Sequence, residues 1–276
     1  MESVLVIGLG EVGMSLYEII KESKRYNVFG KDPKVQLDEE LPSKVDIIHI
    51  CFPCTKTTFF VNAVVDYAKS FEPRLLIINS TVPPKTTNLI AERCDCLVVH
   101  SPIFGTHTSR EHFKSEVRRF AKIVGGVTAD ARDAAVQHFF NVGLKTRTVR
   151  SPLESETLKI MSTSFYGVMI ALSQEFHRAS KVIGADYNEI IELICYLHEC
   201  SLARPPSYPD VIGGHCVIPN IDLLLSVYDS DFLKAVKESN IKRKEEIKNP
   251  EIAKEIAEIK EIVSAFWKNL LERFKP

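Results

Sequence analysis

The first half of the chain repeats one pattern: a short apolar, mostly β-branched run, a polar turn, then a longer stretch with apolar positions at helical spacing. The first run is 4–7, and Val12, Leu16, Ile19 and Ile20 then line one face of a helix. Strands are predicted at 26–30, 45–51, 74–80, 96–100, 120–126 and near 145–149. Helical spacing covers 56–70 (Phe59, Phe60, Ala63, Val64, Tyr67) and 129–141, and a helix opens at Lys85 after Pro83-Pro84. Strands alternating with helices imply an α/β Rossmann domain, doubly wound with a mostly parallel sheet, over 1–150. The pattern then becomes purely helical over 151–276. A long helix is predicted at 154–183, ended by Gly184, and a second at 187–202, capped by Asp186. A rigid connection follows at 204–209, with further helical segments at 221–248 and 250–274.

Composition narrows the function classes. A length of 276 residues with 45% apolar content suits two ordinary domains, each with a core. A net charge of −1 leaves no electrostatic footprint for nucleic acid or an anionic membrane. No apolar run approaches the ~18 residues of a membrane span, and no basic leader precedes the first strand, so a cytoplasmic protein is expected. Seven cysteines, an odd number, fit reduced thiols. Cys51 and Cys54 form a C-x-x-C and Cys94 and Cys96 a C-x-C. We favour small core thiols and no metal; a zinc site built from these four is the alternative.

Candidate chemistry starts at Gly8-Leu-Gly-Glu-Val-Gly13, between the first strand and its helix. In that context Gly8 allows a tight turn, Gly10 lets a pyrophosphate approach the backbone, and Gly13 lets the helix pack on the strand. Glu11 and Val12 complete the motif, and the helix N-terminus favours phosphate. Asp32 follows the second strand about 20 residues on, where a carboxylate accepts the ribose hydroxyls and repels a 2′-phosphate. NAD is therefore expected over NADP, although Lys31 and Lys34 flank the acid. Ligands in such sheets sit beyond the carboxyl ends of the strands. That adds Cys51 and Pro53 in the Cys-Phe-Pro-Cys segment, and Ser80 and Thr81, to the cofactor-binding candidates. Ser80 or Thr81 reads equally as a helix cap. His100 and His107 offer proton transfer, or are strand-end histidines satisfied by backbone.

Two stretches in the helical half carry chemistry of their own. Lys159 lies on a largely apolar helix, with Thr163 one turn on; partial desolvation suits a base or an electrostatic stabiliser, and snorkelling is the plainer reading. Gly213-Gly-His-Cys216 presents a thiol in a turn, where Lys159 or His215 would favour its thiolate. A structural turn with a buried cysteine is the alternative.

Together these stretches resemble the nucleotide-sugar 6-dehydrogenases (UDP-glucose, GDP-mannose and UDP-N-acetylmannosamine dehydrogenases), within the group that includes 6-phosphogluconate dehydrogenase. Ser80-Thr-Val-Pro-Pro-Lys-Thr-Thr87 is similar to the family's S-T-V-P-P-G-T-T, and the helix from Lys159 to Glu175 to its K-x-x-x-N…N-E. Gly184-Ala-Asp186 resembles its G-A-D, and 213–216 its G-G-[SH]-C. The resemblance implies a four-electron oxidation of a primary alcohol to a carboxylate with two NAD. Cys216 would be the nucleophile, Lys159 the oxyanion stabiliser, and Thr81 a neighbour of the reacting centre. Thr163 stands at the family's asparagine and Asn220 at its acid. Ile103 and His107 stand where its glutamates belong. The chain ends where a third, nucleotide-sugar-binding domain would begin.

The favoured function is thus an NAD-dependent oxidoreductase acting on a sugar or sugar-nucleotide alcohol. The alternatives are a two-electron hydroxy-acid dehydrogenase or reductase (prephenate or 3-hydroxyacid type), favoured by the missing glutamates, and a non-catalytic NAD-binding protein. The partner is a small molecule (sugar, sugar nucleotide or hydroxy acid), and a homodimer through the long apolar helix is expected.

Overall fold

The computed structural model describes residues 1–35, 37, 40–105, 109–201, 206–214 and 216–273. The chain forms two compact units, Met1–Ile160 and Met161–Pro276. Among the described residues, no helix is long and apolar enough to cross a membrane.

The first unit is a seven-stranded sheet with strand order β2-β1-β3-β4-β5-β6-β7. The strands are β1 (Ser3–Ile7), β2 (Asn27–Lys31), β3 (Ile47–Ile50), β4 (Leu75–Ile78), β5 (Leu97–His100), β6 (Lys122–Gly126) and β7 (Thr146–Thr148). All neighbours pair in parallel except β5 and β6. The order reverses at β1, where connections run outward to β2 on one side and β3 on the other. Helices α1 (Glu11–Glu22), α2 (Thr57–Phe71), α3 (Thr86–Ala91), α4 (Arg110–Arg119) and α5 (Ala129–Asn141) cover the faces.

Period-two alternation assigns each strand residue to a face. Val4, Val6, Leu75, Ile77 and Val99 pack with Leu16 and Ile20 of α1, Phe113 of α4 and Phe139 of α5. Leu5, Ile7, Ile48, Ile50, Leu76 and Ile78 pack on the other face with Phe60, Val64 and Val65 of α2 and Ile90 of α3. Both faces are buried, so the strands read as unbroken apolar runs. Each fully buried Leu, Ile or Val contributes about 1.5–3 kcal/mol.

The second unit contains most of α6 (Pro152–Ile183), then α7 (Tyr187–Ser201), α8 (Val217–Leu225), α9 (Asp231–Glu246) and α10 (Pro250–Arg273). Gly184 ends α6 at φ +83°, and the Asp186 carboxylate caps α7 by accepting from the Asn188 N–H at 2.9 Å. Tyr187 and Ile191 of α7 pack on Ile259 and Val263 of α10. Ala171 of α6 packs with Ile221 of α8 and Leu233 and Val236 of α9.

Two elements differ from expectation. Helix α4 was not predicted: its charged sequence exposes most of its surface, and only Phe113 and Val117, one turn apart, reach the core. The segment expected as helical over 221–248 is two helices that start earlier, at Val217. Pro219 lies in the first turn of α8, where its missing N–H removes no intrahelical bond. The break before α9 is set by Ser230, whose hydroxyl accepts from the Leu233 N–H at 3.3 Å.

Candidate active site

The glycine turn is built as its spacing requires. Gly8 has φ +90°, and a Cβ there would meet the Phe52 nitrogen at 2.6 Å. A Cβ on Gly13 would fall 1.7 Å from the Gly8 carbonyl oxygen, so α1 can approach β1 only without it. Gly10 is the opposite case: a Cβ there meets nothing within 4 Å. The open side of Gly10 belongs to a cavity of about 380 Å³ lined by Leu9, Glu11, Ser15, Ser109, Arg110 and Phe113. Open space beside the second glycine at the start of α1 is what a pyrophosphate needs. Asp32 braces this turn, one carboxylate oxygen accepting from the Leu9 N–H at 2.8 Å and the other from the Lys34 N–H at 2.7 Å. A carboxylate has about four acceptor positions, so capacity remains for ribose hydroxyls. Val12 is half-buried against the core beneath.

At the carboxyl ends of β3, β4 and β5, side chains tie neighbouring strands together. The Ser80 hydroxyl donates to the Phe52 carbonyl at 2.6 Å, which fixes the end of β4 to the loop after β3. Neither Ser80 nor Thr81 is therefore a helix cap; the residue before α3 is Lys85, at φ +77°, and its own side chain does not cap the helix. His100 Nε2 lies 3.2 Å from the Ser80 carbonyl oxygen and Nδ1 2.8 Å from Ser155 Oγ. A carbonyl only accepts, so Nε2 carries the proton and Nδ1 accepts from the Ser155 hydroxyl. His100 is fully buried, and burial pushes it down to about 3, so it stays neutral and braces the strand ends. Thr81, next to Ser80, is half-buried at this edge. Pro53 is exposed in the loop after β3, while burial pushes the Cys51 thiol up to about 12. His107 lies outside the described residues.

Three residues that sequence reasoning missed hold this edge in place. Glu156, fully buried at the start of α6, accepts from the Lys85 N–H at 2.6 Å, the Thr87 N–H at 2.8 Å and the Thr87 hydroxyl at 2.6 Å. It satisfies the first turn of α3 from another helix, and burial raises its carboxyl against those donors. Its signal was present three residues before Lys159. Ser155, beside it, holds His100. Lys122, buried in β6, donates to the carbonyls of Ser101 at 2.6 Å and Pro102 at 3.0 Å, and to Asn79 Oδ1 at 3.3 Å. Burial pushes it down to about 7. A lysine inside an apolar strand run was its signal.

Lys159 joins the same segment. Its ammonium donates to the Ile103 carbonyl at 2.8 Å and sits 4.9 Å from the Phe104 ring centre. Three consecutive carbonyls, 101 to 103, are thus held by two lysines. The Ile103 side chain, at the position of a family glutamate, is 5% exposed and packs in the core with α1 and α4.

In the second unit, Cys216 is the N-cap residue of α8, half-buried, with its carbonyl accepting from the Asn220 N–H at 3.0 Å. Negative charge is favoured at such a helix start. Gly214, at φ +75°, turns the chain into it. Gly167 of α6 lets α8 close in: a Cβ there would meet Ile221 at 2.8 Å and Val217 at 2.9 Å. Thr163 lies one turn before Gly167 on that face. Asn220 is buried at 4% exposure. His215 lies outside the described residues.

The four-cysteine zinc alternative is not assembled. Cys51 and Cys54 follow β3 at the carboxyl edge of the sheet, whereas Cys94 and Cys96 precede β5 at the opposite edge. Among the described residues, no group of three or more His, Cys, Asp or Glu is placed to hold a metal ion.

Comparisons with known proteins bear on both units. Residues 153–242 match the model of the UDP-glucose/GDP-mannose dehydrogenase family, central domain. A UDP-N-acetyl-D-mannosamine dehydrogenase of Methanocaldococcus jannaschii is 25% identical over 193 residues, 64% of this chain and 43% of that protein. One from Pyrococcus horikoshii is 30% identical over 169 residues, 57% of this chain and 39% of that protein. The chain therefore matches under half the length of these curated relatives. The solved structure of UDP-D-ManNAc dehydrogenase from Pyrococcus horikoshii superposes with a TM-score of 0.71 at 24% identity, over 87% of this chain and 68% of that one.

Proposed function

We propose, from the match of residues 153–242 to the UDP-glucose/GDP-mannose dehydrogenase family, that the chain is an NAD-dependent oxidoreductase acting on the alcohol of a sugar or sugar nucleotide. The observation that carries this reading is a thiol at a helix start, Cys216, in a chain that also holds an open glycine turn. When bound, NAD supplies the hydride acceptor. The backbone at Gly8, Gly10, Glu11 and Gly13 receives its pyrophosphate, and Asp32 its adenosine ribose. Ser80, Thr81, Cys51 and Pro53 border it at the strand ends. The Cys216 thiolate adds to the carbonyl carbon of the aldehyde formed from the alcohol, and the Lys159 ammonium stabilises the oxyanion. Thr163, Asn220 and His215 are further catalytic candidates by the resemblance, His215 as a charge that favours the Cys216 thiolate. The thiohemiacetal carbon then gives up a second hydride, to a second NAD, leaving a thioester on the Cys216 sulfur, and water cleaves it to the carboxylate and the free thiol.

The experiment is Cys216→Ser in the full chain, with NAD binding and carboxylate formation measured together. NAD affinity is expected to hold while carboxylate formation stops; undiminished carboxylate overturns the reading. One observation favours a second reading, a two-electron dehydrogenase of a smaller hydroxy acid: the family glutamate position is filled by Ile103, buried in the core. It predicts one NADH per substrate, unaffected by Cys216→Ser.

A second copy of the chain is part of the proposal. In the second unit Phe165, Tyr166 and Phe176 are 54%, 64% and 51% exposed, and an apolar groove of about 460 Å³ runs between Phe165, Met169, Leu172, Phe176, Ile191 and Ile194. Exposed apolar surface of this extent is characteristic of an interface.

A further inference from the structure

The turn from α3 into β5 carries two thiols, Cys94 and Cys96, at the amino edge of the sheet. The glycine turn and the Ser80 loop lie at the other edge, so these thiols have no part in the chemistry proposed above. Both are half-exposed. One residue separates them, and both pack against the same apolar cluster beneath the sheet. The chain bends at Asp95 and Cys96, and one intervening residue keeps the two Cα atoms within the span a disulfide bridges. The pair sits on the rim of a cavity of about 470 Å³ also lined by Lys69 and Arg93. The neighbouring Cys96 thiol, and then Arg93 and Lys69, lower Cys94 from the ordinary thiol range, while burial and Asp95 oppose them. Cys96 is raised by the same pairing. The cations beside Cys94 favour it as the attacking group, and Cys96, one residue on along the same cavity rim, is the resolving thiol.

Cys54 and Cys195 provide the contrast. Burial pushes each up to about 11, and neither has a thiol partner among its interactions.

We propose that Cys94 and Cys96 form a redox-active dithiol that closes reversibly to an intrachain disulfide on meeting a hydroperoxide. The Cys94 thiolate attacks one peroxide oxygen and the O–O bond breaks. Cys94 becomes a sulfenic acid, and the departing oxygen takes up a proton to leave as water or an alcohol. The Cys96 sulfur then displaces the sulfenic hydroxyl, forming the S–S bond, and that hydroxyl leaves as water with the proton of the Cys96 thiol. The two thiols give up two electrons and the hydroperoxide accepts them. A dithiol reductant reverses the closure by exchange.

The test exposes the full chain to hydrogen peroxide, quenches with iodoacetamide and maps each cysteine by mass spectrometry. Cys94 and Cys96 are expected to lose alkylation together, about fivefold or more faster than Cys54 and Cys195, and to regain it after dithiothreitol. In Cys96→Ser, dimedone is expected to trap a sulfenic acid at Cys94, and Cys94→Ser is expected to abolish the fast phase. Equal rates at Cys94, Cys54 and Cys195 overturn the proposal, as does oxidation of Cys94 in the unsubstituted chain without loss of Cys96. NAD binding and turnover are not read, so the result stands apart from the dehydrogenase proposal.

Discussion

His100, one of the histidines open to a mechanistic reading, turns out to be a core residue, as are His49 and His138, and that sets the acid response. His100 and His138 are each pushed by burial down to about 3, and His49 is lowered in the same way. An unfolded histidine titrates near 6.5, so the unfolded chain binds more protons than the folded one between about 6.5 and 3. The stability they contribute is complete above 6.5 and falls with pH, by about 1.4 kcal/mol per pH unit for each histidine. Urea midpoints measured between pH 7 and pH 5 are expected to fall steeply; a flat profile would refute the neutral buried state. The tight turn at Gly8 and the place of Asp32 just past β2 were legible because the strand–turn–helix–strand pattern is local in sequence. The roles of Glu156 and Ser155 were not. Their partners lie 55 to 71 residues away in sequence, and no local pattern announces that pairing.

At the scale of the element, the strand–turn–helix unit separates folding from binding in adjacent glycines. Gly13→Ala puts a methyl group 1.7 Å from the Gly8 carbonyl, so α1 must move off β1. Its expected effect is a loss of stability of about 2 kcal/mol or more, by overpacking. Gly10 lies at φ −69° with nothing within 4 Å of a Cβ, so Gly10→Ala is expected to leave thermal stability of the free chain unchanged. The methyl group would stand where the pyrophosphate approaches and weaken NAD binding tenfold or more, by about 1.4 kcal/mol. Calorimetry with and without NAD distinguishes the two variants; unaltered NAD affinity in Gly10→Ala would place the cofactor elsewhere. Strand positions were legible because both faces of the sheet are buried, giving continuous apolar runs. Helix α4 was hidden because only Phe113 and Val117 are apolar among its buried side chains, while Lys114 docks it through ion pairs to Glu18 and Glu22 of α1, and the start of α8 because Pro219 reads as a breaker until its first-turn position is known.

At the scale of the whole molecule, the α/β then all-α order follows directly from the change in apolar period. The buried surface of the second unit is less complete than its composition suggested. Leu172→Asp places a charge in the α6–α7 groove and is expected to leave a monomer where the unsubstituted chain is a dimer, as read by light scattering at micromolar concentration. A monomeric unsubstituted chain would remove the interface. The pairing of Glu156 with Lys85 and Thr87 has a consequence for how the first unit is made. Those residues leave the ribosome well before their acceptor does, so the loop that follows β4 is synthesised with two backbone donors still awaiting a carboxylate. With residues up to 150 outside the ribosome the chain has every strand of the sheet yet not this clasp, and with residues up to 160 outside it has both. Assembly of the strand-end edge is thus timed by the emergence of α6, the last piece of the first unit to be translated.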